Sequence, residues 1–114
     1  MAEVVYFVRD MLFTSKIREV ARQLGVTVQG AQTPAALLES ASGARLVIVD
    51  LRLEGALEAL AGLAADPARA GLRSVGFVDH ERKDVMEAAT ARGCDEVLTK
   101  GQFARELPRL LAPR

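Results

Sequence analysis

The stretch LVIVDLRLE, residues 46–54, decides the fold of this chain. Its first four residues are apolar, and such a continuous run is typical of a strand buried on both faces of a parallel sheet. The run ends directly on a carboxylate, Asp50, and the link that follows is short and reaches Gly55. A buried strand that ends on an acid raises the question of what lies at that edge of the sheet.

Short apolar runs alternate with longer amphipathic stretches along the rest of the chain. The runs are rich in β-branched residues, and the stretches end at glycines or before prolines. The sequence predicts strands at 4–8, 26–28, 46–49, 74–78 and 96–99, and helices at 13–24, 34–43, 56–65, 80–92 and from 103 or 104 to 111. For the last helix we expect Pro108 to lie in the first turn or at a kink.

Five strands that alternate with five helices predict an α/β fold. The links are too long for hairpins, so they require right-handed crossovers and a doubly wound, five-stranded parallel sheet with helices on both faces. The length of 114 residues predicts a single domain, 1–114.

Composition excludes several classes of function. The 15 basic and 15 acidic residues balance, which argues against nucleic acid or a membrane surface as the main partner. A single cysteine, Cys94, cannot form an intramolecular disulfide, and no apolar run is long enough to span a membrane. We therefore expect a cytoplasmic protein.

Ionisable side chains follow four of the five predicted strands. In an open α/β sheet the functional crevice lies outside the carboxyl ends of the strands, so these residues predict a site there. A purely structural ion cluster is the alternative, because acids and bases at one edge can pair with each other. The residues are Arg9, Asp10, Asp50, Asp79, His80 and Lys100. We interpret His80 as an exposed residue at a helix start.

Three motifs carry a resemblance that covers 4–111. The stretches FVRD, VIVDL and GCDEVLTKG, in this order, resemble the first, third and fifth strands of the receiver domain of two-component response regulators. The resemblance implies the flavodoxin-like, CheY-like strand order 2-1-3-4-5. It also implies that Asp50 is the phospho-acceptor and that Lys100 contacts the phosphoryl group.

The resemblance further implies a signalling module and not an enzyme. Its phosphoryl donor would be a histidine kinase or a small phosphodonor, and its partners a histidine kinase or other signalling protein. A Mg²⁺ ion would be held by Asp10, Asp50 and the backbone carbonyl of Arg52, since magnesium prefers hard oxygen ligands. A homodimer through the face of the fourth helix, fifth strand and fifth helix is a further expectation.

Several residues depart from the receiver pattern. Arg9 replaces one acid of the metal site, which removes a ligand and adds a like charge, so the expected Mg²⁺ site is weakened. Asp79 replaces a hydroxyl residue and would repel a phosphoryl group. Val97 stands at the aromatic switch position, Gly101 replaces a proline, and the loop after the third strand is short.

Three classes of function stay open. The first is a stand-alone receiver phosphorylated at Asp50, since no output domain follows Arg114. The second is a pseudo-receiver, an interaction module independent of phosphorylation, in which Arg9 replaces the metal and clamps Asp50 or pairs with Asp79. The third, a flavodoxin-like binder of flavin or nucleotide, is disfavoured because no glycine-rich loop follows the first strand.

Overall fold

The computed structural model describes residues 2–113. Its elements alternate between strand and helix, with one added 3-10 turn at Pro67–Arg69. The strands are β1 (Val4–Phe7), β2 (Val28–Gly30), β3 (Leu46–Asp50), β4 (Arg73–Val78) and β5 (Glu96–Thr99). The helices are α1 (Met11–Leu24), α2 (Pro34–Ser40), α3 (Ala56–Ala65), α4 (Lys83–Ala91) and α5 (Lys100–Leu111).

The five strands form one parallel sheet in the order β2-β1-β3-β4-β5, which confirms the predicted fold class and strand order. Helices α1 and α5 pack on one face, and α2, α3 and α4 pack on the other. None of the helices in the described part of the chain is long and apolar enough to cross a membrane.

The central strand β3 is buried on both faces, as its apolar run predicts. Leu46 and Ile48 belong to the core beneath α1 and α5, whereas Val47 and Val49 belong to the core beneath α2, α3 and α4. All five residues of β3, including Asp50, are buried. The strand therefore has no solvent-facing side on which a polar residue could be placed, and its only polar position is its end.

Two predicted boundaries near the edge of the sheet are wrong for identifiable reasons. Strand β2 starts at Val28 and not at Val26, because the N–H of Val26 donates to the carbonyl of Ala21 at 2.9 Å and completes the cap of α1. Helix α4 starts at Lys83 and not at His80, because the chain first makes a turn from Asp79.

The predicted late start of the last helix is also wrong. Helix α5 begins at Lys100, because Thr99 and Gln102 form a capping box at its N-terminus. Pro108 consequently lies inside the helix and not in its first turn. The spacing of a threonine and a glutamine three residues later was visible in the sequence and predicts this earlier start.

Replacing Thr99 with alanine should lower the free energy of unfolding by about 1 kcal/mol. The Thr99 hydroxyl accepts the N–H of Gln102 at 3.2 Å, and alanine leaves that donor without its cap. Urea denaturation measures the change. Thr90→Ala on α4 is the matched control, because Thr90 is exposed and donates only to the carbonyl of Met86. An equal loss in both variants would contradict the role of the cap.

Candidate functional site

The strand order brings the predicted site residues to one edge of the sheet. Strands β1, β3, β4 and β5 are successive neighbours and parallel, so their carboxyl ends lie side by side. Asp10 follows β1, Asp50 ends β3, Asp79 follows β4, and Lys100 follows β5. The edge therefore carries three carboxylates and a lysine in one row, next to the β1/β3 junction at which the strand order reverses.

Asp50 is the buried member of this row, with 2% of its surface exposed. Its Oδ1 accepts the backbone N–H of Arg52 at 3.1 Å and lies 3.5 Å from Nε of the same residue. A buried carboxylate is costly unless it is paired or hydrogen-bonded. Both compensating groups come from one residue, two positions further along the chain.

A tight turn after β3 places Arg52 over Asp50. The N–H of Leu53 donates to the carbonyl of Asp50 at 3.2 Å, and Leu51 is buried. Gly76 of β4 makes room for Leu51, since a Cβ there would lie 2.7 Å from the leucine side chain. Gly55 has a φ of 81°, which favours glycine, and starts α3 at once. The short loop predicted from the sequence is thus the feature that directs Arg52 back to the edge.

Asp79 lies between two cations of the edge, Arg52 and Lys100. Its Oδ1 lies 3.1 Å from Nζ of Lys100, and its Oδ2 lies 3.7 Å from Nη1 of Arg52. Asp50, Arg52, Asp79 and Lys100 therefore form a series of alternating charges, which we call the charge chain. Lys100 beside Asp79, followed by the charge of Arg52, holds the pKa of the Asp79 carboxyl below its usual range.

Lys100 occupies an unfavourable place for a cation. It is the first residue of α5, where the helix dipole presents partial positive charge. The Asp79 carboxylate offsets this repulsion by pairing with the ammonium group. Lys100 is thus neutralised by a carboxylate that directly follows the neighbouring strand β4.

Arg9 lies elsewhere than the pseudo-receiver hypothesis predicts. Its Nη2 donates to the backbone carbonyl of Gln32 at 2.6 Å, and its guanidinium lies 5.9 Å from the centre of the Phe7 ring. Among residues 2–113, the ion pair of Asp50 is made with Arg52. The ion pair with Asp50 that the pseudo-receiver hypothesis assigns to Arg9 is therefore made by Arg52, and Arg9 instead contacts a backbone acceptor in the loop after β2.

The residues present do not fit a preformed magnesium site. Oδ1 of Asp10 accepts the N–H groups of Leu12 and Phe13 at 2.8 and 3.3 Å, so this carboxylate caps α1. Oδ1 of Asp50 faces the Arg52 guanidinium. Within the described range, 2–113, no group of three His, Cys, Asp or Glu side chains could hold a metal ion.

Three other residues at or near this end of the sheet or in α5 have plain structural roles. Val97 is half-buried on β5 and packs against the core beneath α4. Phe103 is fully buried, with its ring stacked on Phe77 at 4.3 Å, so it belongs to the core and not to an exposed partner face. His80 is exposed, and its nearest carboxylate is that of Glu81 at 3.9 Å.

The side chain of Arg52 is the site residue that the sequence analysis missed. Its backbone carbonyl was considered as a metal ligand, but its guanidinium was not. The available signal was the order of Asp50, Arg52 and Gly55 after a buried strand. A short link that ends in glycine forms a turn. Such a turn can bring the residue two positions after the strand back to the end of the strand.

The comparisons with known proteins agree with the topology. Neither a protein-family model nor a curated protein matches the sequence. Among solved structures, the chemotaxis response regulator CheY4 of Vibrio cholerae is 16% identical, with a TM-score of 0.78 over 96% of this chain and 94% of that chain. The chain therefore has the fold of response-regulator receiver domains.

Two further structures share this fold. The receiver domain of the sensor histidine kinase PA1611 from Pseudomonas aeruginosa PAO1, which has a magnesium ion in its active-site cleft, is 18% identical, with a TM-score of 0.75 over 96% of this chain and 97% of that chain. The receiver domain of Ssk1 from Saccharomyces cerevisiae, solved with the histidine phosphotransfer protein Ypd1, is 14% identical, with a TM-score of 0.74 over 95% of this chain and 87% of that chain.

Replacing Asp79 with asparagine should lower stability at neutral pH and matter less in acid. The lowered pKa of Asp79 means that folding favours its charged form. Its contribution is therefore present above the ordinary carboxyl pKa of 3.8 and is lost as the pH falls through the lowered value. Urea denaturation across a pH series measures the difference between wild type and D79N.

The matched control for this pH series is Glu87→Gln, on the exposed side of α4. It removes one carboxylate outside the charge chain. If the difference between wild type and D79N stayed constant as the solution was acidified, or if E87Q showed the same pH dependence, the pairing of Asp79 with Lys100 would not contribute to stability.

Proposed function

We propose that this chain is a receiver-like signalling domain of the two-component type, which acts by binding a signalling protein and does not need a phosphoryl group. The fold, with Asp50 at the end of β3 and Lys100 at the start of α5, supports the signalling class. The charge chain supports independence from phosphorylation. It is the single observation that carries the proposal.

In the charge chain, the carboxylates of the edge are neutralised by cations of the domain itself. A phosphoryl group on Asp50 would need a cation to receive its charge, yet Lys100 is engaged by Asp79 and Arg52 is engaged by two carboxylates. Asp79 would also repel the added negative charge. The pocket thus supports one conformation that persists without phosphate, which is what an interaction module requires.

Phosphorylation of Asp50 is a second candidate with an observation of its own. Within residues 2–113, the hydrogen bond and the ion pair of Asp50 both use Oδ1. This leaves Oδ2 as the oxygen that could attack a phosphorus atom. Lys100 at the same edge could then leave its ion pair with Asp79 and pair with the phosphoryl group. The two candidates differ in whether Asp50 accepts phosphate at all.

The proposed partner is a histidine kinase, a histidine phosphotransfer protein or another signalling protein. The Ssk1 receiver domain, which has the same fold, was solved with such a phosphotransfer protein. A homodimer through the face of α4, β5 and α5 stays a prediction. It has some support from an open hollow at α4 and β5, lined by Met86, Thr90 and Val97 among others.

Incubation with acetyl phosphate and magnesium should leave the wild-type protein without a labile phosphate adduct. The physical reason is that Arg52 and Lys100 are already paired with carboxylates. Intact-mass spectrometry measures the adduct, with a receiver domain of known acetyl phosphate reactivity treated in parallel to show that the donor is active. A single labile adduct on the wild type, absent from Asp50→Asn, would instead make Asp50 a phospho-acceptor.

Partner binding should not depend on Asp50 phosphorylation. We expect the wild type to bind a histidine phosphotransfer protein or kinase dimerisation domain from the same genome with dissociation constants that agree within about twofold before and after treatment with acetyl phosphate and magnesium. Calorimetry measures both. Binding that appears only after treatment with a phosphodonor would contradict the proposal, and so would the failure of every such partner to bind.

A further inference from the structure

We infer that the Arg52 guanidinium is the resident cation of this pocket and closes it to divalent metal ions. The inference rests on the proposed function only in taking this edge of the sheet as the signalling site. In this inference the Arg52 side chain supplies the positive charge that a bound metal ion would otherwise supply. It also names the specific feature that distinguishes this pocket from one that binds magnesium.

The first reason is where the guanidinium lies. Its Nε is 3.5 Å from Oδ1 of Asp50, and its Nη1 is 3.7 Å from Oδ2 of Asp79. A guanidinium is a planar fork that stays charged at all accessible pH values, so it can pair with two carboxylates at once. Arg52 therefore supplies a permanent positive charge between two acids. This is the place where a bound cation would otherwise have its most favourable electrostatic interaction.

The second reason is the repulsion that a metal ion would meet. Magnesium binds oxygen ligands at about 2.0–2.1 Å and requires near-octahedral geometry. An ion bound to Oδ1 of Asp50 would lie close to the positive charge of Arg52 and would lose that oxygen's hydrogen bond from the Arg52 N–H. A metal ion that uses this oxygen must therefore displace the Arg52 side chain before it can bind.

The third reason is that the turn resists this displacement. Leu51 is buried in the space left by Gly76, and Leu53 bonds back to the carbonyl of Asp50. These contacts fix the backbone of Arg52, so the guanidinium can move only by rotating its own side chain. Until an ion has bound, moving it away leaves buried Asp50 without the charge that compensates it.

The other cations of the edge do not have this role. Arg9 donates to the carbonyl of Gln32, and Lys100 pairs with Asp79. In the described part of the chain, Arg52 is the residue that forms an ion pair with Asp50. Arg9 is consequently a matched control, since it carries the same side chain at the same edge of the sheet but contacts a different group.

The test is to titrate Mg²⁺ into the wild type, Arg52→Gln and Arg9→Gln, in low-salt buffer because salt screens exposed charges. Calorimetry should show magnesium affinity about tenfold higher in R52Q than in the other two proteins, which corresponds to about 1.4 kcal/mol of removed repulsion. Mg²⁺ should also raise the melting temperature of R52Q more than that of R9Q at the same concentration, because a ligand stabilises the state that binds it in proportion to its occupancy.

Two further variants complete the test. The gain in R52Q should disappear in R52Q combined with Asp50→Asn, which places the ion at Asp50. If R52Q does not fold, Arg52→Lys should still bind magnesium about threefold more tightly than the wild type, because an ammonium cannot bridge two carboxylates as a fork does.

Wild-type affinity equal to that of R52Q, or to that of R52K where R52Q does not fold, would overturn the inference. An equal gain in R9Q would do the same. None of these measurements uses a phosphodonor or a protein partner, so their outcome does not depend on whether the proposed function holds. A domain that fails to bind any signalling protein could still show that Arg52 excludes the metal.

Discussion

The burial of the Asp50 carboxylate at the end of the central strand is the constraint on which the rest of this edge depends. Both faces of β3 are covered by helices, so the strand brings its terminal acid to a place that water hardly reaches. A charge in such a place needs a partner. Arg52 provides this partner. The turn after β3 directs Arg52 to Asp50, and the space beside Gly76 that holds Leu51 fixes the turn.

From Asp50 towards the surface, the residues of the charge chain alternate in sign. Arg52 reaches Asp79, and Asp79 reaches Lys100, whose place at the start of α5 would otherwise be unfavourable. Only Asp50 is buried, and exposed ion pairs contribute about 0–1 kcal/mol each. The charge chain therefore does less to stabilise the fold than to select one arrangement of the edge. This selection is the basis of our proposal that the edge acts without a phosphoryl group.

The fold was predictable because its signals are local and repeat along the chain. Continuous apolar runs marked β1, β3 and β4, and the strand order followed from the receiver resemblance. Predicted element boundaries were wrong where a helix cap, and not the pattern of apolar residues, set the boundary. Val26 completes the cap of α1, and Thr99 starts α5 earlier than its apolar residues suggest. In both places a capping hydrogen bond, and not side-chain burial, decided where the element begins.

The sequence by itself determined that Asp10, Asp50, Asp79 and Lys100 share one edge, because parallel strands bring their carboxyl ends together. Only the tertiary structure decided which cation meets which acid. Arg9 and Arg52 carry the same side chain near the same edge, yet one contacts the carbonyl of Gln32 and the other contacts Asp50. That choice depends on the path of two loops, and a loop's path is set by packing partners that are distant in the sequence.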